Sequence, residues 1–214
     1  AVYRQNIRSI SGQLSVPREN TADAVIFLCQ QGMEGGRAFA DIISGKAYPS
    51  GKLTDTWALS YSDVPFGDEY SYRNSDVRKQ IYREGIYLGY RYYDTYNVPV
   101  RYHFGFGLSY TDFKIKSEKA ELDGECCEVT VSVKNTGGYP GREVVQLYVA
   151  QPRVDGLLQP VKELKAFRRT ALQPGQTVTL TFPITDDMLA FYTADNTLRV
   201  EPGTFTFMVG GSSK

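Results

Sequence analysis

Cysteine, histidine and tryptophan are scarce in this chain of 214 residues, which holds three, one and one of them. The three cysteines, Cys29, Cys126 and Cys127, are an odd set, and the adjacent pair would face opposite sides of a strand, so no disulfide framework follows. Cys29 lies inside the apolar run AVIFLC, where a small buried thiol is the expectation rather than a nucleophile. The lone His103 leaves too few ligands for a zinc site and no partner for a Cys-His dyad, so neither a metal nor a cofactor is implied. Excess charge is lacking as well: 24 Lys and Arg balance 24 Asp and Glu. That balance leaves no electrostatic footprint for nucleic acid or for an anionic membrane surface. No apolar run approaches the ~20 residues that cross a bilayer, and the opening AVYRQNIRSI lacks the charged start and apolar centre of a secretory signal. A soluble protein is expected; the low cysteine content fits a bacterial cytoplasm or a periplasmic or secreted setting without choosing between them.

What is present changes texture along the chain. The stretch ADAVIFLCQQGMEGGRAFADIISGKAYPSGKLTDTW reads as strand, glycine-rich turn and helix. The unbroken run Ala24 to Cys29 suits a strand covered on both faces, as in a parallel sheet. Phe39, Ile42 and Ile43 share a face of a helix over 37–44, Gly45 stands where a C-cap belongs, and KLTDTW returns as a short strand. Only 23 residues precede Ala24, and they promise one strand at best, so the first sixty residues are too few to close an α/β layer. Residues 58–109 read as a long wrapping linker rich in tyrosine, with a strand and a short helical turn within QIYREGIYLGYRYYD. Beyond them the pattern is all-β: alternating Val129, Val131, Val133; Val145, Leu147, Val149; Val178, Leu180, Phe182; Phe205, Phe207, Val209. Turn signals at NTGGYPG, QPG and EPG separate these runs, the signature of an immunoglobulin-type or fibronectin-type sandwich able to fold alone.

Taken in order, GMEGGRAFADIISGKAYPSGKL, YREGIYLGYRYYD, FGFGLSYTDF, VSVKNTGGYPGREVVQLYV, PVKELKAFRR, LQPGQTVTLTF and VEPGTFTFMVGGSS resemble the C-terminal signatures of glycoside hydrolase family 3, mostly β-glucosidases. The resemblance implies an incomplete α/β sandwich followed by a fibronectin type III-like domain: residues 1–57 would be the last portion of the α/β-sandwich domain, 58–109 the linker, and 110–214 the β-sandwich. It also implies a parent enzyme that hydrolyses β-glucosides or oligosaccharides in an exo, retaining fashion. Its Asp nucleophile would come from a barrel and its Glu acid/base from the α/β domain, the two carboxyls roughly 5 Å apart. No match to either motif is found in this chain, where Glu19 is the one carboxylate of the first 23 residues that comes near the expected place. The missing barrel and the remainder of the α/β domain are therefore expected as partners, in cis or in trans. Self-association through an unpaired sheet edge is also expected.

No catalytic residue is expected within the chain. The two carboxylates that invite the role are Glu34 and Glu84. Glu34, beside glycines at a helix start, is sufficiently explained as a helix cap. Glu84 would pair with Arg91 or another arginine. Tyr82, Glu84, Tyr87, Tyr90, Arg91 and Tyr92 read either as a substrate rim or as an interface between domains, since tyrosine seals an interface as readily as it stacks on a sugar. Trp57 reads as a core anchor or a sugar platform. His103 reads as a structural histidine, with no acid in the next few residues. VKELKAFRR reads as the solvated face of an edge strand. Scaffold of a family 3 enzyme is the leading functional expectation. A stand-alone carbohydrate-binding or protein-interaction module is the alternative, and a complete enzyme using residues 1–23 is the least favoured.

Overall fold

The computed structural model describes Val2–Tyr3 and residues 24–214, apart from positions 71, 72, 74, 77, 124 and 125. Glu19 and the rest of residues 4–23 lie outside the described residues. Strand β1 (Val2–Tyr3) pairs with β2 (Val25–Ile26), and the pairing is antiparallel. This corrects the parallel strand read from AVIFLC. Phe27 and Leu28 are 41% and 42% exposed and Cys29 is exposed too. An apolar run marks a buried strand only when neighbours cover it, and two ladder positions do not provide a layer.

Helix α1 (Gly35–Ile43) follows the glycine turn. Its end is closed as the sequence suggests: Gly45 takes φ 74° and its N–H reaches the Ile42 carbonyl, while the Ala47 N–H reaches Asp41 O at 2.9 Å. These bonds satisfy carbonyls that the helix leaves open, in the left-handed geometry that glycine adopts without a Cβ penalty. Strand β3 (Trp57–Ala58) pairs with β4 (Val100–Tyr102) across the intervening linker. The strand expected within QIYREGIYLGYRYYD does not form; a turn at Gly85 and Ile86 leads into helix α2 (Tyr90–Thr95).

The remaining elements build two sheets. One orders β5 (Phe113–Asp123), β6 (Cys126–Asn135) and β9 (Thr177–Ile184) as β5-β6-β9. The other sets β7 (Gly141–Ala150) between β8 (Glu163–Leu172) and β12 (Thr206–Gly210). Between β9 and β12 come the short helix α3 (Asp186–Leu189) and a hairpin of β10 (Phe191–Tyr192) and β11 (Leu198–Arg199). All these pairings are antiparallel. Val129, Val131 and Val133 of β6 face Val145 and Leu147 of β7 in one core with Leu172, Phe182 and Ile184. At ~25 cal/mol per Å² of apolar area removed from water, such side chains contribute about 1.5–3 kcal/mol each. The architecture is therefore an α/β portion followed by a fibronectin-like sandwich. A second, smaller cluster joins Leu53, Val25 and Trp57 of the α/β portion to Tyr102 and Phe106 at the end of the 58–109 segment.

Strand β7 departs from simple alternation, because Val145 through Val149 are all buried. Gln146 and Tyr148 are 3% and 2% exposed although they point away from the inter-sheet core. A strand buried on both faces needs a second covering layer. Helix α2 and the segment after β4 supply it, as the packing of Tyr90 on Tyr148 and Phe104 shows.

Candidate functional site

Helix α2 is too short to be stable by itself, so its position depends on what it touches. Gly89 starts it at φ 58°, and Tyr90 then packs its ring 5.1 Å from Phe104 and 5.7 Å from Tyr148. The Leu164 N–H donates to the Tyr90 hydroxyl at 2.7 Å, and the Val161 N–H to Thr95 Oγ1 at 2.9 Å. Backbone donors near the start of β8 are thus satisfied by side chains of α2. Tyr87 OH reaches the Gln159 carbonyl at 3.4 Å.

Charge completes the junction. Lys162 Nζ lies 3.3 Å from Asp94 Oδ2, donates to the Ser213 carbonyl and sits 5.6 Å from the centre of the Tyr148 ring. One ammonium therefore joins α2, the chain's last residues and the sandwich. Its side chain is 15% exposed and that of Asp94 11%, so solvent screens the pair weakly. Arg91 Nη1 meets Glu163 Oε1 at 3.5 Å, and Lys165 Nζ meets Glu163 Oε2 at 2.8 Å. His103 Nδ1 stands 3.9 Å from Asp94 Oδ1. Burial holds the His103 pKa below its usual value, aided by Lys214 and Lys162 and opposed by Asp94. Burial likewise pushes the Tyr90 and Tyr148 phenols up. The Tyr148 hydroxyl donates to Gln146 Oε1, and Gln146 Nε2 donates to the Gly211 carbonyl at 3.2 Å.

The tyrosine-rich stretch divides accordingly. Tyr90 and Arg91 are drawn into the junction, Tyr87 and Tyr92 pack against Tyr96, and Tyr82 stands 74% exposed. Arg91 takes Glu163 as partner, a correction to its expected pairing with Glu84; Arg83 pairs with Glu69 at 3.1 Å. Glu84 makes no side-chain hydrogen bond or ion pair among the described residues. Glu34 occupies the N-cap position of α1, as expected, although its side chain makes no capping hydrogen bond. Its carboxylate is 80% exposed and lies 3.9 Å from Arg37. Trp57 packs edge-on to Phe27 at 5.3 Å and to Tyr102 at 5.7 Å. Lys162 and Lys165 turn inward rather than to solvent, whereas Phe167, Arg168 and Arg169 of β8 are exposed.

Nothing in the local sequence marks Asp94, Lys162 and Glu163 as site residues, and the acidic neighbour of His103 lies nine positions before it, on α2. The legible signal was the helical turn within GYRYYD, which would have placed Asp94 one turn after Tyr90. Clefts of about 720, 200 and 340 Å³ open elsewhere on the surface, and neither Glu34 nor Glu84 lines any of the three. Among the described residues no group of three His, Cys, Asp or Glu could hold a metal ion, and no helix is long and apolar enough to cross a membrane. The junction is chemically a brace in which buried charges pair with one another, Lys162 with Asp94 and Arg91 with Glu163, while Asp94 Oδ2, Arg91 Nε and His103 Nδ1 are buried without a hydrogen bond.

A second set of contacts ties the α/β portion to the sandwich. Lys52 Nζ meets Glu143 Oε1 at 2.8 Å and donates to the Gly107 carbonyl at 3.0 Å. Tyr110 OH donates to Ile42 O at 2.9 Å, and Arg169 Nη2 to Ser50 Oγ at 3.0 Å. The model of the glycosyl hydrolase family 3 C-terminal domain matches residues 7–90, and that of the fibronectin type III-like domain matches 143–213. The chain belongs to glycoside hydrolase family 3. It is 39% identical to beta-glucosidase BoGH3A of Bacteroides ovatus over 190 residues, covering 85% of this chain and 25% of that protein. An exo-alpha-(1->6)-L-arabinopyranosidase of Bifidobacterium longum is 34% identical, with 100% of this chain and 28% of that protein covered. The solved beta-glucosidase 3B of Thermotoga neapolitana, in complex with alpha-D-glucose, superposes with a TM-score of 0.82 at 39% identity, over 90% of this chain and 27% of that one. The chain thus spans about a quarter of the length of these family 3 relatives and corresponds to their C-terminal portion.

Proposed function

We propose that the chain is the scaffold portion of a retaining, exo-acting family 3 enzyme for β-linked glucosides. It completes the α/β sandwich and braces it against the fibronectin-like domain. The reacting carboxylates come from a barrel and the rest of the α/β domain, in cis or in trans. On this reading residues 1–57 form the end of the α/β domain, 58–109 wrap, and 110–214 form the sandwich. Tyr90 and Arg91 serve the interface, and exposed Tyr82 serves the pocket rim.

The observation that carries the reading is how the chain uses its carboxylates. Glycoside hydrolysis with retention needs two carboxyl groups ~5 Å apart, one of them with a raised pKa. Asp94 and Glu163 are already engaged by lysine and arginine, and Glu34 is 80% exposed beside Arg37. None of these settings favours a proton donor. Family membership supplies the substrate class, and the two relatives named as beta-glucosidases at 39% identity favour glucosides over arabinopyranosides.

The test is hydrolysis of 4-nitrophenyl β-D-glucopyranoside by the purified chain, alone and mixed with a polypeptide carrying the remaining length of the B. ovatus relative. The expected result is no turnover alone and turnover in the mixture. Turnover by the chain alone, abolished by Glu34→Gln or Glu84→Gln, would overturn the reading. A second reading, a stand-alone binding or interaction module, is favoured by the exposure of Tyr70, Tyr82 and Tyr96 at 52%, 74% and 54%. Saturable binding of cello-oligosaccharides without turnover in either arm would select it.

A further inference from the structure

A cleft of about 340 Å³ opens where the end of α1 meets the β7–β8 ladder. Its size is within the ~300–1,000 Å³ of small-molecule sites. Two cations, Lys46 and Arg142, line it, together with Tyr48 and Gln173, and no carboxylate does. Both cations are exposed, and among the described residues neither has an ion pair or side-chain hydrogen bond. Elsewhere in this chain basic groups beside a fold junction are neutralised: Lys52 by Glu143, Arg91 by Glu163, Lys162 by Asp94. Here the charge is left over.

The walls belong to paired and packed elements. Arg142 lies on β7 opposite Ala171, next to the Gly141–Leu172 pair, and Leu172 is 1% exposed. A Cβ on Gly141 would come within 2.5 Å of Thr111 Cγ2, so the start of β7 is packed closely against the 111–113 segment. Tyr48 is backed edge-on by Tyr110 at 6.4 Å, and the Tyr110 hydroxyl is fixed on the Ile42 carbonyl. Lys46 follows directly on Gly45, whose left-handed turn is held by the helix cap.

We propose that this cleft binds an acidic saccharide, with the carboxylate of a hexuronate unit on Arg142 and Lys46 and the sugar against Tyr48 and Gln173. A guanidinium matches a carboxylate with two parallel donors, and an ammonium adds a point charge. An aromatic ring offers an apolar face to the pyranose, and an amide offers both a donor and an acceptor to its hydroxyls. The site is separate from the junction around Lys162 and does not depend on the proposed scaffold role, because binding is read without any catalytic partner.

Calorimetric titration of the full chain with trigalacturonate, cellotriose and inorganic phosphate tests it. Trigalacturonate should bind saturably and more weakly as salt rises. Arg142→Ala and Lys46→Ala should each weaken it about tenfold, the loss typical of one hydrogen bond to a charged group. Cellotriose and phosphate should bind at least as weakly as trigalacturonate does to the doubly substituted chain. Circular dichroism will verify that these surface variants stay folded. Absence of trigalacturonate binding, equal affinity for cellotriose or for phosphate, or affinity unmoved in the double variant would each overturn the proposal.

Discussion

Replacing Lys162 by methionine keeps most of the aliphatic stem and removes the ammonium, which isolates its electrostatic role. The ammonium serves Asp94 Oδ2 at 3.3 Å, the Ser213 carbonyl and the face of Tyr148. Among the described residues Asp94, 11% exposed, would keep only His103 at 3.9 Å. Stranding one partner of a fully buried pair costs about 3–5 kcal/mol. Some solvent reaches this one, so about 2–3 kcal/mol is the fair expectation, between that figure and the ~0–1 kcal/mol of a surface pair. With a urea slope of ~2 kcal/mol per M, the midpoint should fall by roughly 1 M. Asp94→Asn and the double variant complete a cycle, in which the double loss should be well below the sum of the single losses. Limited proteolysis should cut the linker around α2 sooner in Lys162→Met than in the parent chain. A midpoint change equivalent to less than about 0.5 kcal/mol, or strict additivity in the cycle, would refute the idea that this ammonium is what fastens α2 to the sandwich.

Acid should loosen the same junction. His103 has a folded pKa below its unfolded value of about 6.5, so it is neutral in both states above that pH and its contribution is fully present. As pH falls through 6.5 toward the folded pKa the unfolded chain takes the proton first, and stability is lost. Urea midpoints at descending pH should therefore drop more steeply in the parent than in His103→Gln, and parallel curves would count against it. Gly105→Ala should destabilise by about 2–4 kcal/mol, because φ is 82° and the new Cβ would lie 2.3 Å from the buried Gln146 amide; thermal melting measures it. Tyr90→Phe should cost about 1–2 kcal/mol by depriving the Leu164 N–H of its acceptor. Tyr82→Phe, 74% exposed in the same stretch, should leave the urea midpoint unchanged.

Local pattern was sufficient wherever an element's fate depends on its own residues. The period-two valines of β6, the helix closed by Gly45 and the turn signals between strands were all legible, and the ordered motifs carried the family. Sequence did not reveal that AVIFLC pairs antiparallel and leaves Phe27 and Leu28 exposed, because burial is a property of neighbours rather than of hydrophobicity. Nor did it separate Tyr90 from Tyr82, which share a composition and differ only in what lies above them.

The polar junction was beyond reach for a related reason. Asp94 meets Lys162 across 68 positions of chain, and Lys162 meets Ser213 across 51. No period or spacing rule links residues so far apart. Amino-acid order alone determined that this protein has an α/β portion, a tyrosine-rich stretch and a fibronectin-like β-sandwich of family 3 type. Only the tertiary structure decided which charges pair, which tyrosines are buried and that β7 is covered on both faces, because those outcomes arise when distant segments exclude water from one another.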